Sequence, residues 1–316
     1  MFRPQITVLD ATIRDGGLMN NWDFDLETVR KIYSGLVASG IDYMEVGYKA
    51  NRTLVGEGSG VWRYCEEEEL KRLVDGIHNP ALKLSAMVDI GRVEEDDILP
   101  KSESLLDMIR VATYVKDVDK AIHLENLCRQ KGYETCINIM AVSHALESDL
   151  DEALHQINEE TKVKAVYVVD SFGSLFSEQI HYLVQKFINH ITNGAEVGIH
   201  THNNQQLAYA NTIEAIRKNA NFVDATLYGI GRGAGNCPLE LIMSFLKNPK
   251  FNLRPVIELI DSIFIPLSSQ ISWGYHIPYM LAGVHDEHPR LSLAHMDKHG
   301  DTNLLEFYDQ IHSEHI

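Results

Sequence analysis

The sequence predicts an α/β protein, a closed (β/α)8 TIM barrel with a C-terminal helical extension, and three observations carry that reading. Short apolar, β-branched runs alternate with longer amphipathic segments almost from end to end, the pattern of βα units around a parallel sheet. Eight such runs fit into residues 1–228, close to the roughly 250 residues of an ordinary barrel of this type. Polar clusters recur where the runs end, which is the face on which such barrels carry their sites.

The strand candidates are residues 6–10, 41–47, 83–89, 108–112, 135–142, 165–170, 196–202 and 222–228. Helix candidates fall between them at 26–39, 66–77, 116–131, 150–161, 177–191, 205–218 and 238–246. Asp25, Ser148 and Ser177 are the expected N-caps, because a short side-chain oxygen can accept an unpaired N–H of the first turn; Gly40 and Gly132 are the expected stops. The stretch 89–106 is acidic, is interrupted by Pro100, and offers no clean helix. A doubly wound open sheet normally has fewer strands and an early phosphate turn, and the glycines from Gly56 to Gly60 have neither a Walker lysine nor dinucleotide spacing. The barrel domain therefore spans residues 1–248. In the extension, 249–316, residues 251–272 read as a helix or helix pair. Residues 273–316 are rich in aromatics and histidines with little periodicity, and are expected to pack on the barrel or at a subunit interface without a separate fold.

The 316 residues are 45% hydrophobic and 23% charged, with a formal net charge of −17, which argues against a nucleic-acid partner or an anionic membrane surface. Cys65, Cys128, Cys136 and Cys237 form no CxxC pair, so neither a zinc knuckle nor a disulfide framework is indicated and a reducing compartment fits. No leader-like segment opens the sequence and no apolar run approaches the ~18 residues of a membrane span; a soluble, cytoplasmic protein is expected. The apolar run 257–267 predicts a homo-oligomer.

Five strand ends concentrate chemistry. The first runs Asp10-Ala-Thr-Ile-Arg14-Asp15-Gly16-Gly17, the second carries Glu45, and the sixth ends Asp170-Ser171-Phe-Gly173. The seventh ends His200-Thr-His202-Asn203-Asn204, and the eighth runs into Gly229-Ile-Gly231-Arg232-Gly233-Ala-Gly235-Asn236. Alternation sends His200 and His202 to one face, about 6–7 Å apart along the backbone, so two imidazoles can converge on one ion. Asp15 is a natural third ligand, because the first and eighth strands of a closed barrel are neighbours and the seventh is one further on. The glycines around Asn236 allow a tight turn that could bring its amide oxygen to the same ion. Taken singly, the histidines could be buried structural residues, the Arg14–Asp15 pair a surface ion pair and 229–236 a flexible loop. Their coincidence on adjacent strands favours a metal.

Together, Asp10-x-Thr12-x-Arg14-Asp15-Gly16-Gly17, His200-x-His202-Asn203-Asn204 and Gly231-x-Gly233-Ala-Gly235-Asn236 resemble the DRE-TIM metallolyases, a family that includes 4-hydroxy-2-oxovalerate aldolase, hydroxymethylglutaryl-CoA lyase, isopropylmalate synthase and homocitrate synthase. The resemblance covers residues 5–248, and Trp273-Gly-Tyr275-His-Ile-Pro278-Tyr279 looks like the tail of the hydroxy-oxovalerate aldolase branch. It implies a divalent metal, Mn²⁺ or Mg²⁺ with Co²⁺ or Zn²⁺ as alternatives, held by Asp15, His200, His202 and Asn236. Arg14 would stabilise an enolate oxygen, and Glu45 would orient Arg14 or a water, or equally be part of the polar plug of the barrel. Ser171 and Tyr275 would contact a 2-oxo acid substrate whose cleavage releases an aldehyde; an aldehyde-consuming dehydrogenase is the implied protein partner.

The resemblance breaks at one position. Leu18 stands where the hydroxy-oxovalerate aldolases have a histidine that acts as general base. His144, Tyr275, His276 or a metal-bound water are the candidate replacements. Two other readings are a Claisen-type condensing enzyme joining an acyl-CoA to a 2-oxo acid, and a catalytically altered binding subunit. The loop 48–62, with Lys49, Asn51 and Arg52, is expected to be a lid that reads the substrate.

Overall fold

In the computed structural model, which describes residues 1–313, all eight expected strands are present and close into a single parallel barrel in chain order. They are β1 Thr7–Asp10, β2 Tyr43–Tyr48, β3 Lys83–Asp89, β4 Met108–Thr113, β5 Glu134–Ile139, β6 Ala165–Asp170, β7 Glu196–Thr201 and β8 Phe222–Ala225. Closure is made by β1, which pairs with β2 through Leu9 and Asp10 and with β8 from Thr7 to Asp10.

Local signals set most of the helices. Leu26–Ser39 starts where the Asp25 carboxylate accepts the Thr28 N–H at 2.8 Å and stops at Gly40, whose φ of 74° suits a residue without a Cβ. It buries Val29, Ile32, Tyr33 and Leu36, one face of a 3.6-residue repeat. Two expected caps are corrected. Ser148 lies inside the first turn of Glu147–Glu160, and Ser177 is the first residue of Ser177–His190, where the Gln179 side chain accepts the Phe176 N–H instead. Between β3 and β4 there are two 3₁₀ turns, Glu95–Asp97 and Lys101–Glu103, in keeping with the acidic, proline-interrupted sequence.

In the first βα unit a helix was not anticipated. Thr12–Asn20 follows β1 almost without a loop, so the Arg14–Asp15 motif lies on a helix instead of in a turn. Gly16 and Gly17 mask its helical character, and Gly17 is required by packing: a Cβ there would lie 2.1 Å from the Trp22 indole.

The barrel interior is layered. Leu9, Tyr43, Met108, Cys136, Ala165 and Phe222 fill its lower end with apolar side chains. Two residues further along their strands, Glu45, Arg110, Tyr167 and Asp224 form a charged and aromatic middle layer that is fully or almost fully buried. Tyr167 fits because β7 has Gly198 opposite, where a Cβ would come within 2.6 Å of the phenol ring.

Beyond the barrel, Leu253–Leu259 continues through a π turn, Ile260–Phe264, into Ile265–Ser268. It packs on Leu26–Ser39 at Gly35, where a Cβ would sit 2.5 Å from Leu259. Residues 273–313, read as largely aperiodic, contain three helices: Ile277–Val284, Arg290–His299 and Leu304–Ser313. They escape notice because they are short and share one small cluster of Leu281, Ala282, Phe307 and Ile311, which leaves each helix few buried positions to mark a period. Residues 314–316 of the expected extension lie outside the described residues. No helix among the described residues is long and apolar enough to cross a membrane.

Candidate active site

The site begins with the helix that follows β1. Thr12 donates its backbone N–H and its hydroxyl to the Asp10 carboxylate, at 3.2 and 2.6 Å, and its Oγ1 accepts the Leu227 N–H at 2.8 Å. These bonds tie the β1 and β8 ends together and bring Arg14 and Asp15, 5% and 0% exposed, over the barrel axis. The Trp22 indole N–H, bonded to the Arg14 carbonyl at 3.0 Å, braces the same turn.

Two imidazoles meet this helix from β7, their ring centroids 5.0 Å apart. His202 Nδ1 lies 3.0 Å from the Asp170 carbonyl, which only accepts, so Nδ1 carries the proton and Nε2 keeps its lone pair. His200 Nδ1 faces the Asp224 carboxylate at 3.0 Å, which fixes its tautomer in the same sense. The two Nε2 atoms are 3.2 Å (His200) and 4.0 Å (His202) from Asp15 Oδ2, and the three residues offer ligand atoms within 4.8 Å of one another. Asn236, bridged in backbone to His202, donates Nδ2 to Asp15 Oδ2 at 2.5 Å. Gly231 makes room for that amide, because a Cβ there would lie 2.4 Å from it.

Burial would raise the Asp15 carboxyl, yet Arg14 and His200 hold it well below the usual carboxylate range. Burial pushes the His202 imidazole down to about 3, so it is neutral and free to act as a ligand. His200 Nε2 and Asn236 Oδ1 are buried without a hydrogen-bond partner. Such orphaned atoms cost stability unless something else uses them. Two imidazole nitrogens, a carboxylate and an amide oxygen are a donor set that fits a divalent cation, with Asn236 turning its amide oxygen inward.

Behind these groups runs a closed ring of charge. Arg14 donates Nη1 to Asp15 at 2.6 Å and Nε to Glu45 at 2.8 Å. Glu45 also accepts from Arg110 at 3.0 Å, Arg110 donates to Asp224 at 2.6 Å, and Asp224 meets His200, which returns to Asp15. The Arg110 guanidinium stacks 4.3 Å from the Tyr167 ring centre. Arg110 and Asp224 are among the site residues that sequence reading missed, with Tyr48 and Arg232 of the cavity lining. A signal for Arg110 and Asp224 was present, an arginine and an aspartate at inward positions of otherwise apolar strands.

The donors open onto a cavity of about 70 Å³ lined by Arg14, Leu18, Tyr48, Met140, Ser171 and Arg232 among others. Apart from Asp15, His200 and His202 it has no carboxylate or imidazole in its lining, so none of these stands free in the place of the base missing at Leu18. Ser171 borders it, its Oγ accepting the Ala141 N–H at 2.8 Å. Glu45 lies behind Arg14 and outside the lining. Tyr275 is 55% exposed and does not reach the cavity. His144 lines a neighbouring cleft of about 290 Å³, which shares Met140 with the inner cavity, and bonds to the Asp286 carbonyl. His276 is engaged by Asp301 at 2.7 Å. The expected lid is pinned: Trp62 is fully buried with its indole bonded to the Phe24 carbonyl, Lys49 bonds to the Cys65 carbonyl, and Arg52 pairs with Glu66.

Comparison with known proteins agrees with this geometry. The profile of the HMGL-like family matches residues 5–259. An oxaloacetate decarboxylase from Mycobacterium tuberculosis is 31% identical over 283 residues, covering 85% of this chain and 82% of its own. A 4-hydroxy-2-oxovalerate aldolase from Thermus thermophilus is 30% identical over 262 residues, covering 81% and 73%. Among solved structures, the N-terminal domain of a Bacteroides vulgatus protein assigned as an aldolase superposes with a TM-score of 0.78 at 28% identity, covering 95% of this chain and 100% of its own. An HMG-CoA lyase from Bacillus subtilis, at 13% identity and a TM-score of 0.68, shares the fold. The chain belongs to the HMGL-like family.

Proposed function

We propose that the chain is a divalent-metal-dependent carbon–carbon lyase of 2-oxo acids, and that the reaction its cavity supports best is loss of a carboxylate as CO2 from the carbon next to the 2-oxo group. The observation that carries this reading is a set of converging metal donors beside Arg14 in a cavity without a free base. The two relatives are named for 2-oxo acids, oxaloacetate and 4-hydroxy-2-oxovalerate, in which breaking the C3–C4 bond leaves a pyruvate enolate. Aldol cleavage requires removal of a hydroxyl proton, whereas decarboxylation requires none. The C3–C4 bond breaks, its electron pair passes into the enolate, CO2 departs, and C3 then takes a proton.

Asp15, His200, His202 and Asn236 would hold the cation, with Mn²⁺ or Mg²⁺ as the proposed ion, and when bound it supplies Lewis-acid polarisation of the 2-oxo group. Arg14 is fixed by Asp15 and Glu45, so its guanidinium is already in place where negative charge grows on the enolate oxygen. Ser171, whose Oγ lone pair is taken by Ala141, keeps its own hydroxyl proton for the substrate carboxylate. Burial raises the Tyr48 phenol well above its ordinary value, so Tyr48 lines the cavity as a proton holder, and it is our candidate to return a proton to C3.

The cleft of about 290 Å³ beyond Met140 supports a second reading, aldol cleavage with the aldehyde fragment received there. Metal-dependent exchange of pyruvate methyl protons with deuterated water, followed by NMR, tests the shared enolate step; its absence would sink both readings. Side-by-side turnover of oxaloacetate and 4-hydroxy-2-oxovalerate then separates them, with oxaloacetate expected to be the faster.

A further inference from the structure

The inner cavity is lined by two guanidiniums, and only Arg14 has carboxylate partners. Arg232 makes no ion pair among the described residues. Its Nη2 donates to the Ser171 carbonyl at 3.0 Å and its Nε is buried with no partner. A partly buried guanidinium without an ion pair keeps N–H donors that an anion can use.

The segment that carries Arg232 is built to aim it. Gly233, at φ 60°, packs against the Tyr279 ring, which a Cβ would approach to 3.3 Å, and Gly235, at φ 81°, packs against the Gly229 carbonyl. Next to Arg232, His288 of the extension lies edge-on to Phe172 at a centroid distance of 5.9 Å; burial first, then Arg232 and Arg290, push that imidazole down to about 4. It is therefore neutral, and Arg232 is the cation facing the substrate on this side.

Arg232 is thus the one guanidinium of the cavity lining left without a carboxylate partner among the described residues. We propose that Arg232 is the recognition residue for a second carboxylate of the substrate, so that the chain selects 2-oxo dicarboxylates over 2-oxo acids with neutral tails. This rests on the lyase function proposed above and names the substrate class of the same site.

If the second carboxylate is also the one that departs, its charge has moved to the enolate by the transition state, and Arg232 stabilises the bound substrate more than the transition state. Losing Arg232 then raises KM for oxaloacetate much more than it lowers kcat.

The test is calorimetric binding of 2-oxoglutarate and 2-oxovalerate, which differ by carboxylate against methyl, to the Mn²⁺-loaded full chain. The dicarboxylate is expected to bind about ten-fold tighter or more, as one charge-assisted bidentate contact implies. Arg232→Met should bring the two acids to similar affinity, while Arg232→Lys keeps part of the preference. Equal binding by the unaltered protein overturns the inference, without recourse to any variant. So does an equal loss for both acids in Arg232→Met, which would seat Arg232 on the carboxylate the two acids share. Pyruvate exchange on the same preparation reports the lyase reading separately. Exchange without a dicarboxylate preference removes only the role of Arg232, and a preference without exchange removes only the lyase.

Discussion

Inside the barrel, Arg14, Glu45, Arg110 and Asp224 hydrogen-bond in series between Asp15 and His200, each of the six at most 5% exposed. The tail that walls the barrel mouth is held differently. Its Tyr279 carbonyl accepts from Asn204 at 3.0 Å, Asp286 accepts from Ser143 and Ser174, and His276 pairs with Asp301 at a half-exposed position. Breaking one member of a buried charged set leaves another unpaired and costs about 3–5 kcal/mol, whereas an exposed pair is worth roughly 0–1 kcal/mol. The difference teaches a division of labour: the ring fixes the reacting groups, and the tail fixes the loops around them.

That division predicts a graded series of effects, largest in the ring. Asp15→Asn removes a proposed ligand and a partner of Arg14 at once. Pyruvate exchange should fall below detection and Mn²⁺ binding, read by calorimetry, should weaken sharply; an unchanged metal affinity would take Asp15 out of the ligand set. Arg14→Met leaves the four donors in place and removes the cation beside the enolate oxygen. A fall in kcat of about 10²–10³-fold is expected, with metal affinity changed far less. Equal losses in kcat and metal affinity would mean that Arg14 acts only by holding Asp15.

Arg110→Met is the next step down, since Arg110 touches no proposed ligand directly. It bonds to Glu45 and Asp224, which in turn orient Arg14 and His200. Metal affinity should drop about 10–100-fold, the usual range for a residue behind a ligand. The melting temperature should also fall, because two carboxylates lose their partner, and Arg110→Lys should recover part of both losses. A stable Arg110→Met protein with unaltered metal affinity would show the ring to be ornamental.

The strands and most helices were legible because each carries its own local signal: period-two apolar runs, Asp25 ahead of its helix, Gly40 after it. The candidate metal donors were legible for the same reason, since His200-x-His202 and Arg14–Asp15 are short motifs whose convergence follows from barrel closure. Glu45 was visible, but its contact with Arg110 depends on strands whose relative register is fixed only when the barrel forms. Arg110 and Asp224 gave a faint sign, a charge in a buried strand, and reading it requires knowing what stands across the interior. Thr12–Asn20 was hidden by two glycines whose need is set by Trp22, a tertiary contact. In the tail the sequence singled out Tyr275, which lies exposed and outside the cavity lining, while Tyr279 packs against Gly233.

These two residues carry the smallest expected effects. Of the two tail tyrosines, Tyr275 is 55% exposed and away from the cavity, while Tyr279, four residues later, is 2% exposed with its ring against Gly233 of the Arg232 loop. Tyr279→Leu keeps an apolar side chain but loses the flat ring on which Gly233 rests. It should destabilise the protein by roughly 0.5–3 kcal/mol and raise KM for oxaloacetate several-fold through a displaced Arg232, leaving kcat nearly unchanged. Tyr275→Ala should stay within about 0.5 kcal/mol of the parent, as surface substitutions do, and change neither constant by more than about two-fold. If Tyr275→Ala instead raised KM while Tyr279→Leu did not, the tail would have to close over the substrate in a way this arrangement of helices does not provide.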